Sequence, residues 1–344
     1  MAITSGAESK SGEENMTATA TNTEQPRPQE VDLSSELRIQ RILVPIDFTS
    51  ASRQGLRYAV NLARQFGAKI TLIHVVRAAR SSEFTRIGIL LEGKGHEADA
   101  QKELAKMAEQ ELGREINGGA IVVRGGPPYE IDRAAAELGV DLIVTGTHGY
   151  TGVEHFFFGS TTEEIVHNAS CPVLTIRQPL VPVRFPDDDE CVFKRILAPV
   201  SLTTRSGGAL GYAAALARRC DGEVVLLYAA HADSGRSFAR QQAIAPSRQL
   251  EILRERLVSA GIKASLEVCC GKPSREIADC AWQQKADLIV VNSHSQVGLW
   301  TYFGRGTAER VVRRATCPVL VVRSDGWKRT WNVPRKDESM AKAA

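Results

Sequence analysis

Five runs of nearly unbroken apolar residues punctuate the first half of the chain: ILVPI at 42–46, ITLIHVV at 70–76, AIVVR at 120–124, DLIVT at 141–145 and VLTIR at 173–177. A strand with one wet face alternates apolar and polar residues. These runs do not, so they predict strands buried on both sides. Segments with helical spacing lie between them, at 51–66, 96–115, 128–138 and 160–169. In the first, Leu56, Ala59, Val60, Ala63 and Phe66 form one apolar stripe. Strands and helices that alternate in this way require right-handed crossovers and a parallel sheet covered on both faces. The predicted class is α/β, a doubly wound, Rossmann-like domain with a five-stranded parallel sheet. Ligands of such domains bind beyond the carboxyl ends of the strands, where strand order reverses.

The pattern then recurs. RILVPIDFTSASRQGLRYAVNLARQFGAKITLIHV at 41–75 parallels RILAPVSLTTRSGGALGYAAALARRCDGEVVLLYA at 195–229, and the stretch from Asp141 to Arg177 parallels Asp287 to Arg323 without a gap. The repeating unit has the size of a domain rather than of a solenoid repeat. The predicted organisation is a polar, disordered leader at 1–37, a first domain at 38–178 and a Pro-rich acidic linker at 179–192. A second domain at 193–323 and a tail at 324–344 carrying Trp327 and Trp331 complete it.

Charge and composition narrow the function. The 43 basic and 40 acidic residues leave a net charge of +3, too balanced for a nucleic-acid or anionic-membrane partner. No window is long and apolar enough for a membrane span, and the polar N-terminus lacks a secretory signal. The 7 cysteines form no disulfide-like framework, which suits a reducing cytoplasm. Adjacent Cys269 and Cys270 would face opposite sides of a strand and so make a poor redox pair.

The segment GTHGYTGVEHFFFGS at 146–160 joins the fourth strand to the fourth helix. Gly146 and Gly149 allow close backbone approach, and Gly159, Ser160 and Thr161 open a helix whose free N–H groups suit a phosphate. A ligand-free reading fits the same residues. Ser160 and Glu163 form a capping box, Glu163 and Glu164 oppose an anion, and glycines are routine in turns. The residues alone leave both readings open. Asp47 is equally double-sided: with Thr49 and Ser50 beside it, it could serve the start of the first helix.

The spacing Gly146, two residues, Gly149, nine residues, Gly159-Ser160 resembles the nucleotide-binding signature of the universal stress protein family. The V-P-x-D at 44–47, L-I-H-V at 72–75, D-L-I-V-x-G-T-H-G at 141–149 and C-P-V-L at 171–174 resemble that family too, and the likeness spans both repeats. The resemblance implies an ATP-binding protein of the stress response, with the adenine nucleotide held in the first domain as a conformational or regulatory ligand. Pro45 and Asp47 would end the first strand, with Asp47 contacting adenine or ribose. Val75 would meet the base through its backbone. Thr145 and Gly146 would pass beneath the ribose, and Gly149, Gly159, Ser160 and Thr161 would surround the phosphates. Any Mg²⁺ would be held mainly by those phosphates. In the family the closing strand pairs across a dimer axis. A tandem chain can make that contact internally, as a pseudo-dimer; a homodimer of chains and an unidentified protein partner stay open.

The second copy has lost the signature. Asn292, Ser295, Arg305 and Gly306 stand for Gly146, Gly149, Gly159 and Ser160, and Ser201 stands for Asp47. It is expected to bind nucleotide weakly or not at all. No G-x-x-x-x-G-K-[ST] loop, H-E-x-x-H or paired C-x-x-C is present, so no catalytic residue is named and at most a weak ATPase is expected. His148 and its counterpart His294 are read as structural. The competing reading is a ligand-free scaffold or chaperone-like module.

Overall fold

The computed structural model describes residues 33, 37–77, 86–147, 160–177, 191–201, 207–230, 236–293 and 306–323. The first half runs β1 (Arg41–Pro45), α1 (Ser50–Phe66), β2 (Lys69–Arg77), α2 (Arg86–Ile116), β3 (Asn117–Gly125), α3 (Pro127–Glu137), β4 (Leu142–Thr147), α4 (Ser160–Asn168) and β5 (Val173–Arg177). The second repeats it as β6 (Arg195–Pro199), α5 (Gly207–Cys220), β7 (Glu223–Ala230), α6 (Arg236–Ser259), β8 (Lys263–Cys270), α7 (Pro273–Gln283), β9 (Leu288–Ser293), α8 (Thr307–Arg314) and β10 (Val319–Arg323). Every predicted element is present. Helix α2 starts ten residues before the predicted 96, because Gly88, Gly93 and Gly95 weaken the helical signal there.

The two expected five-stranded sheets meet edge to edge. The ten strands form one sheet in the order β3-β2-β1-β4-β5-β10-β9-β6-β7-β8. Pairing within each half is parallel, whereas β5 and β10 meet antiparallel with Leu174 opposite Leu320. The Thr175 hydroxyl adds a bond to the Val319 carbonyl at 3.1 Å. The internal pseudo-dimer is therefore real, and it pairs two edges that would otherwise expose unpaired backbone groups.

Burial on both faces explains the unbroken apolar runs. In β1, Ile42 and Val44 face a core with Leu56 and Leu62 of α1 and Leu104 of α2. Leu43 faces the opposite core, with Ile131 of α3 and Ile165 of α4. Both cores continue into the second half, where α5 and α6 cover one face and α7 and α8 the other. The Asp of each D-L-I-V run ties the sheet together. Asp141 Oδ2 accepts from the backbone N–H groups of Gln40 (2.8 Å) and Arg41 (3.0 Å), and Asp287 does the same for Lys194 and Arg195.

The closing arginines reach across the seam. Arg177 Nη1 donates to the Ala315 carbonyl beyond α8 (3.1 Å), and Arg323 Nη1 donates to Asn168 and Ala169 at the end of α4 (3.2 and 3.3 Å). Each half thus supplies a cation to carbonyls at a helix C-terminus of the other.

Two further expectations change. Leu33 and Leu37, assigned to a disordered leader, pack on the core, and Arg218 of the second half donates to the Leu33 carbonyl at 2.6 Å. The cysteines are not all thiols either. Cys191 and Cys220 form a disulfide, with Cα atoms 5.2 Å apart. It fastens the end of the linker to the end of α5, beside Phe193, which is buried among residues of both halves. The step from cysteine usage to a reducing cytoplasm loses its basis. Cys269 and Cys270 do point to opposite faces of β8, one half-buried and one exposed. The tail with Trp327 and Trp331, and linker residues 179–190, lie outside the described residues. Among the described residues, no helix is long and apolar enough to cross a membrane.

Candidate functional site

Strand order reverses between β1 and β4, and most of the described site residues gather there. Strand β1 ends at Pro45, and the N–H of Ile46 still bonds the Ile73 carbonyl at 2.8 Å. The chain then turns sharply into α1. Asp47 Oδ1 accepts from the Thr49 backbone N–H (3.1 Å) and from its hydroxyl (2.6 Å). Thr49 is the N-cap of α1, its Oγ1 accepting from the Ser52 N–H at 3.3 Å. The helix cap is thus Thr49, and Asp47 braces it while its carboxylate stays at an exposed position.

Phe48, between them, has a left-handed backbone (φ 62°), uncommon for a large aromatic residue. Its ring packs against His74 at a centroid distance of 4.8 Å. His74 Nδ1 lies 2.7 Å from the Ile46 carbonyl. A carbonyl only accepts, so Nδ1 carries the proton and Nε2 is the acceptor nitrogen. Phe48 and His74 stand at the same strand end as Asp47 and were not among the expected site residues. The available signal was a polar residue inside the apolar run ITLIHVV. Its neighbour Val75 is half-buried in β2 against the second core.

On β4, Thr145 is buried, with its hydroxyl 3.5 Å from that of Thr162 in α4. Gly146 has a reason of its own. A Cβ there would lie 1.9 Å from the Ala51 carbonyl oxygen and 2.9 Å from the Ser52 nitrogen. Likewise a Cβ on Gly55 would lie 2.9 Å from the Gly146 nitrogen. The first turns of α1 lie directly on the end of β4, and that contact requires glycine whether or not a ligand binds.

The second half solves the same junction differently. Asn292 occupies the position of Gly146, and its Oδ1 accepts from the Ala209 N–H in the first turn of α5 at 3.0 Å. Its carboxamide thus satisfies a free helix donor from within. Ser201 stands at the position of Asp47, so a hydroxyl takes the place of the carboxylate there.

Helix α4 begins at Ser160, Thr161 is half-buried and Thr162 buried. Glu163, in its first turn, pairs with Arg313 of α8 at 2.6 Å. Gly149 and Gly159 lie outside the described residues, as do His148, His294, Ser295 and Arg305. Among the described residues, no group of three or more His, Cys, Asp or Glu side chains is placed to hold a metal ion.

Two doubly wound domains, joined edge to edge into one sheet, define a tandem α/β protein. The model of the universal stress protein family matches residues 38–177 and again 193–323. The chain belongs to that family. It is 35% identical over 146 residues to universal stress protein MJ0531 of Methanocaldococcus jannaschii, covering 41% of this chain and 83% of that protein. It is 29% identical to universal stress protein YxiE of Bacillus subtilis, covering 40% and 98%. The crystal structure of a universal stress protein from Archaeoglobus fulgidus superposes with a TM-score of 0.64 at 20% identity, over 83% of this chain and 98% of that one. That likeness extends across both halves and establishes the fold.

Proposed function

We propose that the first half binds one adenine nucleotide, ATP with Mg²⁺, as a regulatory ligand. The observation that carries this reading is a convergence at the switch point: Asp47 after β1, Thr145 and Gly146 at the end of β4, and the first turn of α4 at Ser160 and Thr161. These are both ends of the signature spacing, on the two elements that flank it. Asp47, with a carboxylate braced by Thr49, accepts a ribose hydroxyl or an adenine donor. The backbone of Val75 lines the base side, with Phe48 and His74 beside it. The open N–H groups of α4 and its positive dipole end receive phosphate oxygens, together with Gly149 and Gly159. The phosphates carry the Mg²⁺.

In this reading the ligand is held rather than turned over. Hydrolysis, where it occurs, is slow. Bound nucleotide acts by favouring one conformation over another, which a protein partner of the stress response then reads. A specific observation favours the ligand-free scaffold instead: Gly146 is demanded by packing against Ala51 alone.

Titration calorimetry of the intact chain with ATP and MgCl₂ separates the two. One site per chain is expected, and Asp47→Ala should weaken it by at least tenfold. Absence of binding establishes the scaffold; two sites per chain overturn the assignment of the second half as closed.

A further inference from the structure

The second half grips α4 along its length. At the first turn, Arg313 Nη2 meets Glu163 Oε2 at 2.6 Å, with side chains only 17% and 25% exposed. In the last turn, Glu309 Oε1 faces His167 Nδ1 at 3.1 Å. At the end, Arg323 holds the Asn168 and Ala169 carbonyls. The repeat aligns Glu163 with Glu309 and His167 with Arg313, so the first two contacts are one interaction made twice.

The two versions are not equivalent. Glu309 receives a half-exposed imidazole, and its other oxygen accepts from the Gly306 N–H of its own helix start at 2.6 Å. Glu163 receives a guanidinium, which is charged at every physiological pH. The permanent cation thus stands on the side of the seam that faces the first half.

A carboxylate in the first turn steadies an empty helix but repels an arriving polyanion. Glu163 lies in that turn of α4, and Glu164 follows directly after it. Glu164 is exposed and screened by solvent, while Glu163 is mostly buried and its field reaches further. We infer that Arg313 of the second half is a positioning residue for the nucleotide site of the first: it neutralises Glu163 and fixes α4 so that phosphate meets a net positive helix start. This rests on the reading of the first half as a nucleotide site. It also gives the second half a task that needs no ligand of its own.

The test measures ATP–Mg²⁺ affinity by calorimetry on the full chain at two salt concentrations, with thermal melts to confirm folding. Arg313→Met should weaken binding on the order of tenfold, from one uncompensated charge several ångströms from phosphate. Glu163→Gln alone should strengthen it, since the guanidinium then acts unopposed; this arm stands even if Arg313→Met does not fold. The double variant should recover to within about threefold of wild type, and high salt should shrink every difference. An unchanged affinity in Glu163→Gln, or a double variant no better than Arg313→Met, overturns the electrostatic role and leaves Arg313 a packing residue. If the wild type binds no ATP, the nucleotide reading falls first and this inference with it; if it binds and the variants are silent, only the inference falls.

Discussion

Replacing Gly146 with Ala tests the junction on which the first cleft is built. Its φ is not in the left-handed region, so the substitution carries no dihedral penalty and isolates the close approach. The new methyl carbon would stand 1.9 Å from the Ala51 oxygen and 2.3 Å from its carbonyl carbon, whereas ordinary contact begins at 3.4 Å. The start of α1 must retreat by about 1.5 Å, because β4 is pinned between β1 and β5 and cannot. That retreat stretches the Asp47–Thr49–Ser52 bonds, which span 2.6–3.4 Å. Overpacking costs about 1–3 kcal/mol and loss of an N-cap about 1 kcal/mol, so a destabilisation near 3 kcal/mol is expected. Urea unfolding reads it as a lower midpoint at unchanged slope. ATP affinity should fall at least tenfold, since Asp47 moves with the helix start. A midpoint shift worth less than about 0.5 kcal/mol would refute the close approach and, with it, the packing reason for glycine at this position.

The cysteines make two further outcomes testable. Titration of the denatured, unreduced chain should count five thiols rather than seven, with exposed Cys270 the fastest to react in the native protein; seven would remove the Cys191–Cys220 bond. Desolvation, with nearby acids adding to it, pushes Cys171 and Cys317 up to about 12. A thiol whose folded pKa is raised stays protonated in the native state after the unfolded chain has released its proton. Stability should therefore be intact below about pH 9 and fall toward pH 12, by about 1.4 kcal/mol per pH unit for each thiol. Alanine at both positions should flatten that alkaline slope in urea melts; an undiminished slope would assign it elsewhere.

Much of this architecture was legible because strands buried on both faces leave an unmistakable apolar signature. Ile42, Leu43 and Val44 face two different cores in succession, and no other arrangement makes all three apolar. What escaped depended on contacts between distant segments. Leu174 is as apolar at a sheet edge as in its centre, so the pairing of the closing strands followed from the family resemblance rather than from their own residues. Gly146 reads in the sequence as close backbone approach beneath a ribose. Its constraint is the direction of its absent Cβ, toward Ala51, which spacing does not encode. Cys191 and Cys220 sit in a linker and at a helix end, with no motif to join them. Leu33 and Leu37 were hidden by the polar residues around them. Phe48 and His74 escaped because a left-handed aromatic residue leaves no compositional trace. Of the expected ligand residues, Pro45, Asp47, Thr145 and Gly146 meet at one strand edge, and Ser160 and Thr161 begin the helix that faces them.

The divergence of the halves follows from one exchange at matched positions. Glycine at 146 lets α1 lie on the strand end, with Thr49 and Asp47 tending its first turn from outside the sheet. Asparagine at 292 instead sends its amide oxygen into the start of α5, so the strand itself caps the helix. Having done so, the second half needs neither an acid at 201 nor a bare loop after β9. Its remaining obligations lie at the seam: β10 covers the edge of β5, Arg323 caps α4, and Arg313 balances Glu163. Cut from its twin, the first half would expose the β5 edge and leave Glu163 without its cation. These seam contacts involve none of residues 292, 295, 305 and 306, so divergence at those positions leaves the join between the halves intact.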